Sequence, residues 1–253
     1  IALDESSAKD SRAIGRILEF AERSPAPWYY IVAEHPRGDY LVKEPIWLAN
    51  VLDLVAGLKL RGRRVILGYS NHQMLCAGAA RADFIASGTW MNVRSFPPEK
   101  FREKVEGEVR QRATWFYCPH TLSEYKIPFL DVAYRTGILQ EMRPKFLTYP
   151  QIEALFAGGE PSTVGLTEQM SFRHYLTSMK LQVGEISRQS FDQTADGLFE
   201  LLDHAEASLA VLRSKRVSGQ LRDFSDYVDV NRAALEILVQ DRGALLRRKW
   251  HEL

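Results

Sequence analysis

The sequence contains only two cysteines, Cys76 and Cys118, among its 253 residues. Two cysteines are too few for a disulfide scaffold, and their scarcity is typical of a protein from a reducing compartment. Long apolar runs are also missing, since none approaches the roughly 18 residues that a membrane-spanning helix needs, and the start of the sequence has no signal-peptide pattern. We therefore expect a cytoplasmic protein that has no membrane partner.

The sequence also lacks an excess of charge of either sign, because 33 lysines and arginines are offset by 32 aspartates and glutamates. The resulting net charge of +1 provides no whole-molecule attraction to nucleic acid or membrane, although a local basic patch is compatible with it. Hydrophobic residues make up 45% of the chain and charged residues 26%. This composition is that of a globular protein rather than a disordered or fibrous one.

Short β-rich runs alternate with amphipathic helical runs over the first 90 or so residues. The predicted strands are residues 1–3, 28–33, 64–69 and 83–87, and the predicted helices between them are residues 10–23, 44–61 and 72–81. Strands that alternate with helices in this way form parallel sheets with right-handed crossovers. The pattern predicts an α/β fold, either a (β/α) barrel or the C-terminal half of one.

A glycine-rich dinucleotide-binding turn is absent after the third predicted strand. The residues there are Gly68-Tyr69-Ser70-Asn71-His72, with a single glycine where G-x-G-x-x-G would stand, and this disfavours a Rossmann fold. Farther along, the sequence predicts mainly helices, at residues 168–185, 190–214 and 225–249. We therefore divide the chain into an α/β barrel-like part, residues 1–142, and a helical C-terminal region, residues 143–253.

Polar residues follow each predicted strand at its carboxyl end, where the loops of a parallel α/β fold converge on one face. Carboxylates and a histidine gathered there could act as a nucleophile and a general base. The candidate residues selected in this way are Asp4, Glu34, His35, Ser70, Asn71, His72 and Ser87. A structural interpretation stays open beside this one, since Asp4 and Asn71 are residue types that cap helices and Glu34-His35 is compatible with an ordinary polar loop.

Cys118, His120 and His174 form a second candidate site. Thiolate and imidazole are suitable zinc ligands, and a structural zinc site closes with four of them. The sequence offers three good ligands and no C-x-x-C pair. Both a zinc site and a buried cysteine with two unrelated histidines are therefore open interpretations.

The C-terminal helix carries Arg242 and ends in a cluster of cations with one aromatic residue, Arg247-Arg248-Lys249-Trp250-His251. Clustered cations beside an aromatic ring can follow a phosphate backbone. Cations at a helix end also complement the helix dipole without any ligand. The cluster is thus either part of a nucleic-acid surface or a solvated helix end.

The stretch from Gly68 to Trp90, GYSNHQMLCAGAARADFIASGTW, resembles the end of the barrel in tRNA-guanine transglycosylases, especially the archaeosine branch and its DNA-modifying relatives. In that family a glycine-rich turn with a histidine opens a helix over small residues, and an acidic strand follows. Cys118 and His120 stand where the family has its zinc motif, and His174 stands where it has a later zinc-binding histidine. The resemblance covers roughly residues 28–185.

The resemblance implies an enzyme that exchanges guanine for a 7-deazaguanine base in tRNA or DNA, with structural zinc and no organic cofactor. In the family an aspartate forms a covalent link to the nucleoside sugar, and its position here is held by Ala86. The catalytic carboxylate would then be Asp83, three positions earlier, or Asp4 or Glu34. The residues implied to bind the substrate are His35, Ser70, Asn71, His72 and Ser87.

Two other functions are compatible with the same residues. Gly68-Tyr69-Ser70 and Ser87-Gly88-Thr89 stand where the last loops of a barrel often cradle a phosphate, which is typical of an enzyme acting on a small metabolite. Alternatively, the chain is a catalytically silent subunit that presents nucleic acid to a protein partner or to another copy of itself. In that case nucleic-acid binding should survive mutation of Asp4, Glu34 and Asp83.

Overall fold

The computed structural model describes residues 1–97, 113–146 and 149–253 of the chain. These residues form two compact units, each assembled from segments that are distant in the sequence. The described parts of the first unit are residues 1–97, 183–200 and 229–253. The described parts of the second unit are residues 113–146, 149–182 and 201–228.

A four-stranded parallel sheet forms the centre of the first unit. Its strands follow the order of the chain and are β1 (Ala2–Leu3), β2 (Trp28–Ala33), β3 (Arg64–Leu67) and β4 (Phe84–Ile85). The helices between them are α1 (Glu5–Lys9), α2 (Ser11–Arg23) and α3 (Pro45–Leu60). The predicted α/β class with a parallel sheet is therefore confirmed, while closure of the strands into a barrel stays a prediction.

The alternation of buried and exposed residues along β2 and β3 shows which face of the sheet the helices cover. Tyr29 and Ile31 of β2 and Val65 and Leu67 of β3 are buried, and their neighbours in sequence are more exposed. Helix α3 packs on β3 and is apolar on nearly its whole circumference, as expected for a helix enclosed on all sides. The helices therefore cover one face of the sheet, and on the opposite face of β2 Trp28 and Tyr30 are exposed whereas Val32 is buried.

The segment after β3 differs from its prediction as an α-helix, because residues His72–Gly78 form a 3₁₀ helix. Asn71 caps this helix, its side-chain oxygen accepting a hydrogen bond from the Gln73 backbone N–H at 2.9 Å. The apolar side chains of the segment are buried together with Gln73. The amide of Gln73 takes part in tertiary hydrogen bonds that the sequence pattern does not reveal.

The second unit contains an antiparallel hairpin of β5 (Trp115–Cys118) and β6 (Ser123–Lys126). Leu122 closes the turn with a positive φ of 50°. Helices α4 (Ile127–Arg135) and α5 (Pro150–Ala154) pack their apolar side chains with the hairpin around Phe116 and Tyr125. This apolar cluster is the core of the second unit.

Three long helices dominate the C-terminal part, as the sequence predicted. They are α6 (Glu168–Ile186), α7 (Phe191–Ser214) and α8 (Val228–Lys249). The apolar stripe of α7 predicts a buried face at Phe191, Leu198, Leu201, Leu202, Ala205, Leu209 and Leu212, and all of these are buried except Leu201, which is partly buried. Within the described ranges of the chain, no helix has both the length and the apolar character that crossing a membrane requires.

Gln73 connects the 3₁₀ helix to two distant segments of the first unit. Its side-chain oxygen accepts from the Val42 N–H at 2.8 Å, and its side-chain nitrogen donates to the Val42 carbonyl at 2.8 Å and to Asn231 Oδ1 at 3.1 Å. Asn231, on α8, donates in return to the Gln73 carbonyl at 3.0 Å. All of these groups are buried, so each depends on a protein partner.

Replacing Gln73 with methionine is expected to lower the free energy of unfolding by about 3 kcal/mol. The apolar side chain would leave the buried Val42 N–H, the Val42 carbonyl and Asn231 Oδ1 without the partners that Gln73 supplies, and each such loss costs about 1–3 kcal/mol. Urea unfolding followed by circular dichroism measures the change. The control is Gln193→Met, at an exposed glutamine of α7, and equal losses in both variants would contradict the assignment.

Candidate functional site

The parallel register brings most of the predicted site residues to the carboxyl edge of the sheet in the first unit. Glu34 and His35 follow β2, Ser70 to His72 follow β3, and Ser87 follows β4. Backbone hydrogen bonds join these loops, since the Ser70 N–H donates to the Ala86 carbonyl at 3.0 Å. The loops therefore meet at one edge, as the sequence led us to expect.

Ser70 and Asn71 direct their side chains to backbone carbonyls at this edge. The Asn71 amide nitrogen donates to the Tyr40 carbonyl at 2.6 Å and to the Arg94 carbonyl at 3.2 Å. The Ser70 hydroxyl donates to the Leu67 carbonyl at 3.0 Å. Both residues are buried, and their observed contacts connect three loops to one another.

Residues 88–97, which we call the strap, pass over the carboxyl edge. Within the strap Arg94 is fully buried, and its guanidinium donates to the carbonyls of Gly88 at 2.8 Å and Thr89 at 3.3 Å. The Phe96 carbonyl accepts from the His35 N–H at 3.3 Å. Sequence reasoning missed Arg94, because a single arginine in a polar segment has no spacing that distinguishes it from a solvated residue.

The two histidines at the edge are also enclosed. His35 is buried, with Nδ1 2.9 Å from the Asp39 carbonyl and its ring edge-on to Trp47 at 5.4 Å between centroids. His72 is buried against the ring of Tyr40, 6.0 Å away between centroids. Both rings lie within the edge rather than at its surface.

Glu34 and Glu5 place two carboxylates at the part of the edge beside β1. Glu34 Oε2 accepts from the Glu5 N–H at 2.9 Å. The pKa of Glu5 is lowered, first by the hydrogen bond from Lys9 and then by the one from the Arg37 backbone N–H. Glu34 is partly buried, whereas the two histidines at this edge are fully enclosed.

Asp4 follows β1 and caps the helix after it. Its Oδ1 accepts from the Ser7 N–H at 2.7 Å and from the Ser6 hydroxyl at 3.0 Å. These hydrogen bonds lower the pKa of Asp4, the contribution from Ser7 being the largest. The capping interpretation of Asp4 is therefore confirmed.

Asp83 lies at the opposite edge of the sheet, because it precedes β4 instead of following it. Its Oδ2 accepts from the Val65 N–H at 2.8 Å and from Lys59 Nζ at 2.9 Å. Val65 pairs with Tyr29 of β2, five positions before Glu34, which corresponds to roughly 16 Å along a strand. The structure therefore separates Asp83 from the other two predicted carboxylates.

The sheet face away from the helices carries a group of exposed rings that sequence reasoning missed. Trp28, Tyr30 and Phe84 are 44%, 46% and 56% exposed, and the strand register puts all three on this face together with Arg64. We call these four residues the aromatic face. The available signal was the period-2 alternation of Trp28 and Tyr30 within one predicted strand.

The side chains of the aromatic face contact one another. The rings of Trp28 and Phe84 lie 6.2 Å apart between centroids at 25°, and the Arg64 guanidinium carbon is 5.2 Å from the centre of the Trp28 ring. The Tyr30 ring lies over Gly68. A Cβ atom added to Gly68 would lie only 2.2 Å from the phenol oxygen of Tyr30. Partial burial raises the pKa of Tyr30, so its hydroxyl is a hydrogen-bond donor at neutral pH.

The predicted zinc ligands belong to the second unit and are directed toward separate backbone carbonyls. Cys118 Sγ lies 3.6 Å from the Met142 carbonyl, and burial raises the pKa of its thiol. His120 Nε2 lies 2.7 Å from the Arg143 carbonyl. His174 Nε2 lies 2.8 Å from the Tyr117 carbonyl, and burial lowers the pKa of His174 to about 4.

These three side chains do not fit a zinc site in this arrangement. Cys118 would have to lose its proton inside an apolar core, and the His174 nitrogen that faces Tyr117 is already used as a donor. Among residues 1–97, 113–146 and 149–253, no group of three histidine, cysteine or acidic side chains is arranged to hold a metal ion. Zinc binding stays a prediction, which metal analysis of the purified protein tests.

Two basic residues of the C-terminal helix, Arg242 and Arg247, have carboxylate partners within the first unit. Arg242 binds Asp53 through two hydrogen bonds of 2.6 and 3.2 Å, and this raises the pKa of Arg242. Arg247 binds Asp192 at 2.7 Å. These ion pairs support the structural interpretation of the two arginines.

A cavity of about 800 Å³ also opens in the first unit near the start of α7. Its lining includes two arginines, Arg81 and Arg188, and two carboxylates, Asp196 and Glu200. Arg81 stacks on the ring of Trp250 at 4.8 Å from its centre. The balanced charges of this lining do not favour an anionic ligand.

Two parts of the first unit are therefore candidates for contact with a ligand. At the carboxyl edge, Glu34 is partly buried. The Asn71 amide, the Ser70 hydroxyl and the two histidines of this edge are enclosed. The aromatic face offers exposed rings beside a cation.

Comparison of the chain with protein-family models, with curated proteins and with solved structures found no match.

Proposed function

We propose that the chain binds nucleic acid through the aromatic face and is a nucleic-acid-modifying protein of the transglycosylase type, exchanging guanine for a 7-deazaguanine base in tRNA or DNA. The observation that carries this proposal is the exposure of Trp28, Tyr30 and Phe84 on one side of the sheet. Every nucleobase has a flat π surface, and stacking on an aromatic side chain contributes about 1–3 kcal/mol per base.

The charge of this face also suits nucleic acid. The strand residues on the same side of the sheet as the aromatic face are Ala2, Trp28, Tyr30, Val32, Arg64, Ile66 and Phe84. Arg64 is the one formally charged side chain among these described strand positions, and its charge is positive. A phosphate group would therefore meet a cation and no carboxylate from the strands.

Glu34 is the carboxylate that we assign to the exchange step. In this scheme a Glu34 oxygen forms a bond to C1′ of the nucleoside as the C1′–N9 bond breaks. The electron pair of the broken bond stays on guanine, which takes up a proton from water and leaves as the neutral base. N9 of the incoming base then attacks C1′, loses its proton and releases the Glu34 carboxylate. We assign Asp83 a structural role instead, since its carboxylate accepts hydrogen bonds from Lys59 and from the Val65 N–H at the other edge of the sheet.

Single substitutions in the aromatic face are expected to weaken binding of tRNA or single-stranded DNA about tenfold. Trp28→Ala and Phe84→Ala each remove one stacking surface, and a tenfold loss corresponds to about 1.4 kcal/mol. Fluorescence anisotropy with labelled tRNA, single-stranded DNA and duplex DNA at several salt concentrations measures the affinities. The matched control is Phe20→Ala, at an exposed aromatic residue of α2, which should leave binding unchanged.

These binding measurements, together with an assay for incorporation of labelled guanine, discriminate between the proposed function and its alternatives. Failure of the protein to bind any nucleic acid at low salt would contradict the proposal and favour an enzyme acting on a small metabolite. Binding without incorporation of labelled guanine would favour a catalytically silent subunit. If exchange occurs, Glu34→Gln should abolish it, whereas Asp4→Asn should leave most of it.

The phosphate-cradle alternative has less support from the backbone around residues 68–70. The Gly68 N–H donates to the Ile31 carbonyl at 2.8 Å, and the Ser70 N–H donates to the Ala86 carbonyl at 3.0 Å. Amide groups that already bond within the sheet and its loops are not free to donate to a phosphate. The nucleic-acid function is therefore the one we favour.

A further inference from the structure

We infer that the nucleic acid recognised by the aromatic face is an unpaired strand, with bases stacked on Trp28 and Phe84 and a phosphate bound by Arg64. This inference rests on the proposed function and names the substrate class of the same surface. It concerns the state of the strand, paired or unpaired, and is independent of whether base exchange takes place.

The arrangement of the rings favours unpaired bases. Trp28 and Phe84 stack at 25°, with their centroids 6.2 Å apart, and both side chains are exposed, so together they form one apolar patch on the sheet. Inside a duplex both faces of a base are covered by its neighbours, and a protein reaches only base edges and phosphates. Stacking on an open sheet therefore requires bases that have left their own stack.

Arg64 is held where it can reach a phosphate beside these rings. Its side chain is 61% exposed, its guanidinium carbon lies 5.2 Å from the Trp28 ring centre, and Asp83 Oδ1 lies 3.9 Å from its Nη1. Asp83 thus contacts the guanidinium from within the sheet edge, while most of the group stays exposed.

The two kinds of contact predict different responses to salt. Each phosphate neutralised by a cation releases counterions, and for single strands this contributes about 0.7 to the slope of log affinity against log salt concentration. Stacking on a ring releases no counterion. Loss of Arg64 should therefore change the slope, and loss of a ring should change the affinity at every salt concentration by the same factor.

The experiment measures binding of a labelled 12-nucleotide single strand, and of the duplex made from it, at several salt concentrations. We expect the single strand to bind at least tenfold more tightly than the duplex at equal salt. Arg64→Gln should reduce the magnitude of the slope by about 0.7. Trp28→Leu should weaken binding about tenfold with the slope unchanged, and Trp28→Phe, which keeps a ring, should restore most of the affinity.

Arg16→Gln is the matched control for Arg64→Gln. Arg16, on α2, is 68% exposed and lies 3.8 Å from Asp10, a closely similar exposure and ion-pair distance at a surface away from the aromatic face. This control should leave both affinity and slope unchanged. Circular dichroism of each variant confirms that it is folded before its binding is compared.

Equal affinity for single strand and duplex would overturn the inference, and so would an unchanged slope in folded Arg64→Gln. Either result would leave the proposed function standing if the protein still binds tRNA and Phe84→Ala weakens that binding about tenfold. Conversely, selective binding of single strands without base exchange would support the inference and contradict the proposed enzymatic activity. The two proposals can therefore fail separately.

Discussion

Acidification from pH 7 to pH 4 is expected to lower the free energy of unfolding by about 3 kcal/mol through His174 alone. Burial lowers the pKa of His174 to about 4, whereas an unfolded chain has an ordinary histidine pKa of about 6.5. Between these values the unfolded state binds more protons than the folded state, so stability falls as the pH falls. The stabilisation is fully present above pH 6.5 and is lost on the way down to pH 4.

The contacts of His174 explain why the charged form is disfavoured. Its ring is fully buried and stacks on Phe116 at 5.1 Å between centroids and 7° between planes. Nε2 bonds the Tyr117 carbonyl at 2.8 Å, and Ser178 Oγ lies 3.4 Å from Nδ1. A second proton would place a positive charge in this apolar environment.

Urea unfolding of the wild type and of His174→Gln at pH 7, 5.5 and 4.5 measures the effect. Carboxylates also titrate in this range, so the informative quantity is the difference between the two proteins, which should shrink as the pH falls. His251→Gln, at an exposed histidine, is the control and should follow the wild type at every pH. Identical pH dependence of wild type and His174→Gln would show that the His174 pKa is not lowered.

Removing the Asp83 carboxylate is expected to cost about 3–5 kcal/mol of stability. Lys59 has a side chain only 4% exposed, and its Nζ lies 2.9 Å from Asp83 Oδ2. Asp83→Ala would leave the ammonium group buried beside no counter-charge and would also leave the Val65 N–H without its partner. Urea unfolding at pH 7 measures the loss.

A second substitution tests whether the buried charge is the cause. Lys59→Met combined with Asp83→Ala should recover much of the stability, because no unpaired charge remains. As a matched comparison, Asp229→Ala removes an acid that is 88% exposed and paired with Arg232, and should cost less than about 1 kcal/mol. A loss below 1 kcal/mol in Asp83→Ala would contradict the structural role assigned to Asp83.

Glu34, Asp83 and His174 illustrate how much of the candidate sites could be predicted from the sequence. The position of Glu34 at the carboxyl edge followed from strand order alone, because parallel strands all end at the same side. The predicted strand at residues 83–87 begins with Asp83, which indicates the opposite edge of the sheet, and in the structure Asp83 indeed precedes β4 (Phe84–Ile85). For His174, the residue type and the family resemblance suggested a metal ligand, whereas its environment depends on Phe116 and Tyr117, which are distant in the chain.

The aromatic face shows a different limit. Alternation within β2 predicts that Trp28 and Tyr30 point to the same side of the sheet, and this can be deduced from the sequence. Whether a sheet face is covered depends on which elements pack against it, and a strand pattern carries no information about that. The exposed rings of Trp28, Tyr30 and Phe84 therefore became candidates only when burial was known.

By itself the sequence determined the order and type of the main elements, including the parallel α/β part and the long C-terminal helices. It could do so because periodicity and local propensity act over a few residues. Tertiary structure alone decided which polar groups are enclosed, as at Gln73 and Asn231, which bond across 158 positions of the chain. Burial and hydrogen bonding of this kind depend on residues brought together by folding, and these contacts determine which side chains stay available to a ligand.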